Sequence, residues 1–294
     1  MSARNIPMDF YQGSKSTESR SGGIPVTRDL KLGYVLSLLT SFIMTASSIG
    51  GVLYQRAIYP ADELLQSFVP NDIFNLVVGL PILLGSMWLA RRGVLIGLLS
   101  WPAGLFYMLY IYVPYVIGVP FGVFFLPYLT LVALSAFTLV GILASIDGEV
   151  VRQKLAGLIP ARISAGILIC LALLIIVRQT ALIVTTITGQ VPADTLEIAS
   201  WIADFAVAIP ALLVVGVQLW RGKALGYAAG AGLLLGYGVL ALSVIPFFVI
   251  QARHTDSPID TAGVAAILFM AALCFAPFVF FVRAAASNRS SSST

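Results

Sequence analysis

The chain reads as an all-α integral membrane protein with eight transmembrane helices, both termini inside, built as a parallel 4+4 internal repeat. Three observations predict this. First, 59% of its 294 residues are apolar and 10% are charged, with a mean hydropathy of +0.97, whereas charged residues make up roughly a quarter of a soluble domain. Second, apolar stretches long enough to cross about 30 Å of hydrocarbon follow one another with hardly any soluble sequence between them. Third, a proline-bearing stretch that starts at Asn75 returns with the same spacing at Asp204.

Residues 1–32 form a polar tail, expected to be disordered and cytoplasmic, and too long for the n-region of a secretory signal. No small-residue cleavage site follows, so the first apolar run, 33–54, is read as a retained helix. The next runs are 71–90, which ends on Arg91, Arg92 and Gly93, and 94–117. "GVPFG" at 118–122 supplies the tight turn that separates the third helix from the fourth, 121–145. A cytoplasmic linker, 146–161, leads to runs at 162–186, 198–219, 224–250 and 261–283, and a second disordered tail covers 284–294. The two halves are thus 33–145 and 162–283.

Charge gives the orientation. With the N-terminus inside, 14 of the 17 basic residues fall in inside segments, among them Arg91, Arg92, Arg152, Lys154, Arg221 and Lys223. Only Arg56 and Arg253 lie outside, and Arg178 lies within a helix. Asp62, Glu63, Asp72, Asp194, Glu197, Asp256 and Asp260 are read as outside acids. This asymmetry follows the positive-inside rule and explains the net charge of +4 without an anionic partner. A cell-membrane location with cytoplasmic termini is expected. No basic run interleaved with aromatics suggests nucleic acid. The two cysteines, Cys170 and Cys274, and the lone His254 offer no raw material for a metal site, a disulfide framework or a haem, so no cofactor is expected.

Shifted by 129, "NLVVGLPILLGSMWLARRGVLIG" (75–97) lies over "DFAVAIPALLVVGVQLWRGKALG" (204–226) without a gap. Pro81 matches Pro210, the Arg-Gly turn at 92–93 matches 221–222, and Gly97 matches Gly226. Each marks a structural job: a kink, an inner anchor and close helix packing. Four helices separate the copies, so the halves are parallel and their pseudo-twofold axis runs along the membrane normal.

Asn75 then superimposes on Asp204. With its helix starting near 198, Asp204 lies roughly 9 Å deep, and Arg178 reaches a similar depth on the preceding helix. An unpaired charge in hydrocarbon costs at least about 2.5 to 3.5 kcal/mol. Three readings stay open: a static Arg178–Asp204 ion pair, Arg178 snorkelling outward, or a solvent-reached site. The prolines free the carbonyls of Val77 and Ala206 near Asn75 and Asp204, which favours a shared cavity between the halves. Tyr107 and Tyr110 of "YMLYIYVPY" are deep enough to line it. Tyr112 and Tyr115 fall near the outer boundary and read as an aromatic belt. Gly226, Gly230, Gly232 and Gly236 read as packing residues.

"NLVVGLP", "YMLYIYVPYVIGVPFGVFFLPY" and "DFAVAIP" followed by "WRGKALGY" resemble an uncharacterised family of prokaryotic multipass, eight-helix membrane proteins. The resemblance covers most of the helical region through short motifs. It implies no activity.

The substrate-binding candidates are therefore Asn75, Asp204, Arg178, Tyr107 and Tyr110, and the expected partners are the lipid bilayer and a small-molecule solute. The first functional reading is a carrier or channel for that solute, with a polar site near the outer face. The second is a membrane sensor or assembly subunit with an outer ligand pocket. An intramembrane enzyme comes third, because no nucleophile and base, carboxylate dyad or metal-ligand set is apparent at depth. No glycine-rich phosphate loop marks an ATP-driven pump.

Overall fold

A computed structural model describes residues 24–192, 194–254 and 259–290. The helices in chain order are α1 (Lys31–Leu53), α2 (Gln55–Ile58), α3 (Asp62–Phe74), α4 (Leu80–Arg91), α5 (Leu95–Gly118), α6 (Phe125–Ser145), α7 (Gly148–Leu155), α8 (Ala161–Ile187), α9 (Thr195–Ala203), α10 (Ile209–Trp220), α11 (Ala224–Ser243), α12 (Ile245–His254) and α13 (Thr261–Ser290). A π-helical turn, Asn75–Gly79, joins α3 to α4, and another, Asp204–Ala208, joins α9 to α10. Eight spans among the described residues are long and apolar enough to cross a membrane, so this is a multipass membrane protein. Large apolar side chains such as Phe42, Phe137 and Val177 face outward, where lipid tails would meet them.

The spans alternate. One end of the bundle, the basic end, carries Arg91, Arg92, Arg152 and Arg221; the other, the acidic end, carries Asp62, Glu63, Asp194 and Glu197. At the acidic end, acidic side chains sit where α3 and α9 begin. Asp194 accepts the Leu196 N–H at 3.3 Å, and Asp62 and Glu63 open α3. Two boundaries differ most from the sequence expectation. The second span starts at Asp62 rather than near 71, which draws Asp72 into the bundle, and α13 runs on past 283 to Ser290.

Of the N-terminal tail, residues 1–23 lie outside the described residues. Residues 24–30 run along the start of α7, with the Thr27 N–H on the Ser145 carbonyl and the Asp147 N–H on the Pro25 carbonyl, both at 2.9 Å.

α5 and α11 form the centre and are buried along most of their length. They meet backbone to backbone because α11 offers glycine there: a Cβ on Gly232 would stand 2.9 Å from the Leu99 carbonyl oxygen, and one on Gly236 3.0 Å from that of Ala103. Around them the second span packs on α5, and the sixth on α11 and α8.

Local geometry recurs at the 129-residue offset. The wide turns occupy 75–79 and 204–208. Gly93 and Gly222 end the next helices at φ 76° and 66°. Arg92, Gly93, Val94 and Gly97 donate to Trp88, Ala90, Leu89 and Val94, while Arg221, Gly222, Lys223 and Gly226 donate to Val217, Leu219, Gln218 and Lys223. A Cβ on Gly97 would strike the backbone of Leu89 and Ala90, and one on Gly226 that of Gln218 and Leu219.

Candidate functional site

Both wide turns precede a proline. A proline ring crowds the carbonyl four residues back and has no N–H to offer it. Here the helix widens: the Leu80 N–H reaches back five residues to the Asn75 carbonyl, and the Ile209 N–H to that of Asp204. Asn75 and Asp204 therefore each begin a wide turn, and both side chains are buried in protein.

Around Asn75 the polar groups close on one another. The Tyr107 hydroxyl donates to Asn75 Oδ1 at 2.6 Å, and Asn75 Nδ2 donates to Ser48 Oγ and to the Tyr112 hydroxyl, both at 3.3 Å. Gly79 makes room for the tyrosine, since a Cβ there would lie 2.8 Å from the Tyr107 ring. One turn toward the acidic end lies Asp72, which is fully buried. Tyr59 donates to its Oδ2 at 2.7 Å and Tyr115 to its Oδ1 at 3.1 Å, while the Tyr59 and Tyr128 hydroxyls pair at 3.3 Å. Gly51 permits this: its Cβ would overlap Asp72 Oδ2 at 1.9 Å.

Asp204 has its own partners. Tyr110 donates to Oδ1 at 2.8 Å, and Gln179 Nε2 donates to Oδ2. Arg178 Nη1 donates to Gln179 Oε1 at 3.1 Å. The ion pairs among the described residues join Lys31 to Asp29, Arg56 to Asp62 and Arg152 to Glu149, all at exposed positions. Arg178 and Asp204 thus do not form the ion pair weighed from the sequence. The arginine is exposed, and the buried amide of Gln179 stands between them, accepting from one and donating to the other.

The five candidates are placed as two groups rather than one. Tyr107 holds Asn75, and Tyr110 holds Asp204, with both tyrosines on α5. Neither Asn75 nor Asp204 lines a common cavity, because each has its polar atoms taken by neighbours. The cavity lies one turn nearer the acidic end, lined by Asn71 and Ser200, each four residues before its partner. It measures about 270 Å³. Its walls pair across the 129-residue offset: Ser67 with Leu196, Asn71 with Ser200, Ile111 with Leu240, and Pro114 with Ser243. Tyr110 and Tyr237 also line it, so Tyr110 connects the cavity to Asp204.

Tyr112 and Tyr115, expected at the membrane boundary, are 0% and 1% exposed and belong to the Asn75 and Asp72 networks. Sequence reasoning also missed Asp72, Tyr59, Tyr128 and Gln179. Asp72 has a faint signal, since it stands three residues before Asn75 and so shares its helical face. Among the described residues no three His, Cys, Asp or Glu side chains gather as metal ligands. Comparison with protein families, with curated proteins and with solved structures finds no match, so the site is read from its own chemistry.

Proposed function

We propose that this chain is a membrane carrier for a small, uncharged, partly apolar solute, with both termini cytoplasmic and two parallel four-helix halves arisen by duplication. The cavity carries this reading. Four pairs of its lining residues are related by the 129-residue offset, which is what a binding site on the axis between two halves requires. The matching turns, hydrogen bonds and glycine contacts support the duplication. No charged side chain lines the cavity, and the nearest carboxylate, Asp204, already has both oxygens engaged. Apolar walls with a few fixed polar groups, Asn71, Ser200 and Tyr237, suit a neutral molecule. A continuous channel is disfavoured, because α5 and α11 meet through glycine on the basic side of the cavity.

That close contact favours a second reading, a membrane sensor that binds the same solute without passing it. Single cysteines at Asn71 and Ser200 should react with an impermeant maleimide added outside, and a panel of neutral solutes in proteoliposomes should yield at least one whose flux this labelling blocks. A solute that protects the cysteines without flux would select the sensor. Absence of labelling at both positions would sink the site.

A further inference from the structure

We infer that Asp72 is a proton-exchange site, reached from the acidic end through Tyr59. It is distinct from the cavity and does not depend on what the cavity binds.

Asp72 is fully buried within a membrane span, and no lysine, arginine or histidine among the described residues pairs with it. A carboxylate so placed is costly unless it is neutralised or richly hydrogen-bonded, and ionisable groups kept at such depth are characteristic of proton paths. Its two oxygens receive one phenol each, from Tyr59 and Tyr115. Phenols serve both states, since each can donate to the carboxylate or accept from the acid. The titratable groups facing Asp72 are Tyr59 from the connection after α2, Tyr107, Tyr112 and Tyr115 from α5, and Tyr128 from α6, while α1 faces it with Ser48 and Gly51. α12 meets the same span through Ile245, Pro246, Val249 and Ile250, which share an apolar groove with Pro70 and Ile73, and its Arg253 and His254 follow beyond that groove.

The route is short. Ile58 and Pro60, the chain neighbours of Tyr59, line a cavity of about 350 Å³ at the acidic end. Phe124 lines the same cavity and packs on Tyr128, with ring centroids 5.9 Å apart. Tyr59 does not itself line that cavity and is 0% exposed, so exchange needs water to enter from it past Ile58 and Pro60. Tyr59 then passes its hydroxyl proton to Asp72 Oδ2 and takes another from a hydronium. The net change is carboxylate and hydronium to carboxylic acid and water, with the tyrosine unchanged.

Infrared difference spectroscopy of the full-length protein in lipid tests this through the C=O stretch of a protonated carboxyl. The band should grow as pH falls, vanish in Asp72→Asn and persist in Asp204→Asn. In Tyr59→Phe the ionised form loses one donor, so the midpoint should move up by about one to two pH units. A band that survives Asp72→Asn, or no Asp72-dependent change between about pH 4 and about pH 10, would overturn the proposal and leave Asp72 a fixed structural group. If Asp72→Asn does not fold, Tyr59→Phe decides, and an unmoved midpoint overturns it.

Discussion

At the scale of single residues, polar groups in the membrane interior are settled by neighbours rather than by charge complementarity. Gln179, not Arg178, satisfies Asp204. Truncating Gln179 to alanine strands a buried carboxylate oxygen and should cost about 1.5 to 3 kcal/mol. Truncating exposed Arg178 should cost less than about 1 kcal/mol. Exchanging Arg178 and Asp204 should rescue nothing, because it places an arginine where Tyr110 and Gln179 present donors. Reversible unfolding in mixed detergent measures all three, and a larger loss for Arg178→Ala than for Gln179→Ala would restore the ion pair. Asn75, Asp204, Tyr107 and Tyr110 were legible because each interrupts an apolar run. Asp72 was not. It sits in "DELLQSFVPND", whose polarity matches a loop, and only the ring of tyrosines from three other segments makes it an interior residue.

Among the helices, the turns after the second and sixth spans are the best-determined features. Gly93 and Gly222 both take positive φ, and neither has an atom within 4 Å of the position a Cβ would occupy. Alanine there meets no neighbour and pays only for left-handed backbone, about 1 kcal/mol at each site. Equal losses in thermal unfolding are expected. A loss confined to one glycine would show that the two turns are not equivalent. The Arg-Gly signature made these ends readable. The wide turns before Pro81 and Pro210 were readable only as interruptions, since a proline disturbs a helix whichever form the relief takes, and packing around Asn75 and Asp204 selects that form.

For the whole molecule, the positive-inside rule applied to the charge asymmetry predicts an orientation with the basic end toward the cytoplasm, which labelling can test. Single cysteines at exposed Asp62, Gly122 and Gln190 should label from outside, and those at Arg92, Ala156 and Lys223 only after permeabilisation. Labelling of position 122 from inside would break the eight-span topology. The sequence by itself determined the membrane class, the eight spans and the 129-residue correspondence, because bilayer thickness and hydropathy act on contiguous residues and need no knowledge of neighbours. Tertiary structure alone decided which polar residues meet. Hydrogen bonds act over about 3 Å between side chains far apart in the chain, so the placing of Asp72 among tyrosines, of Gln179 between Arg178 and Asp204, and of the cavity one turn from both candidates follows from how α3, α5, α6, α8 and α11 pack together.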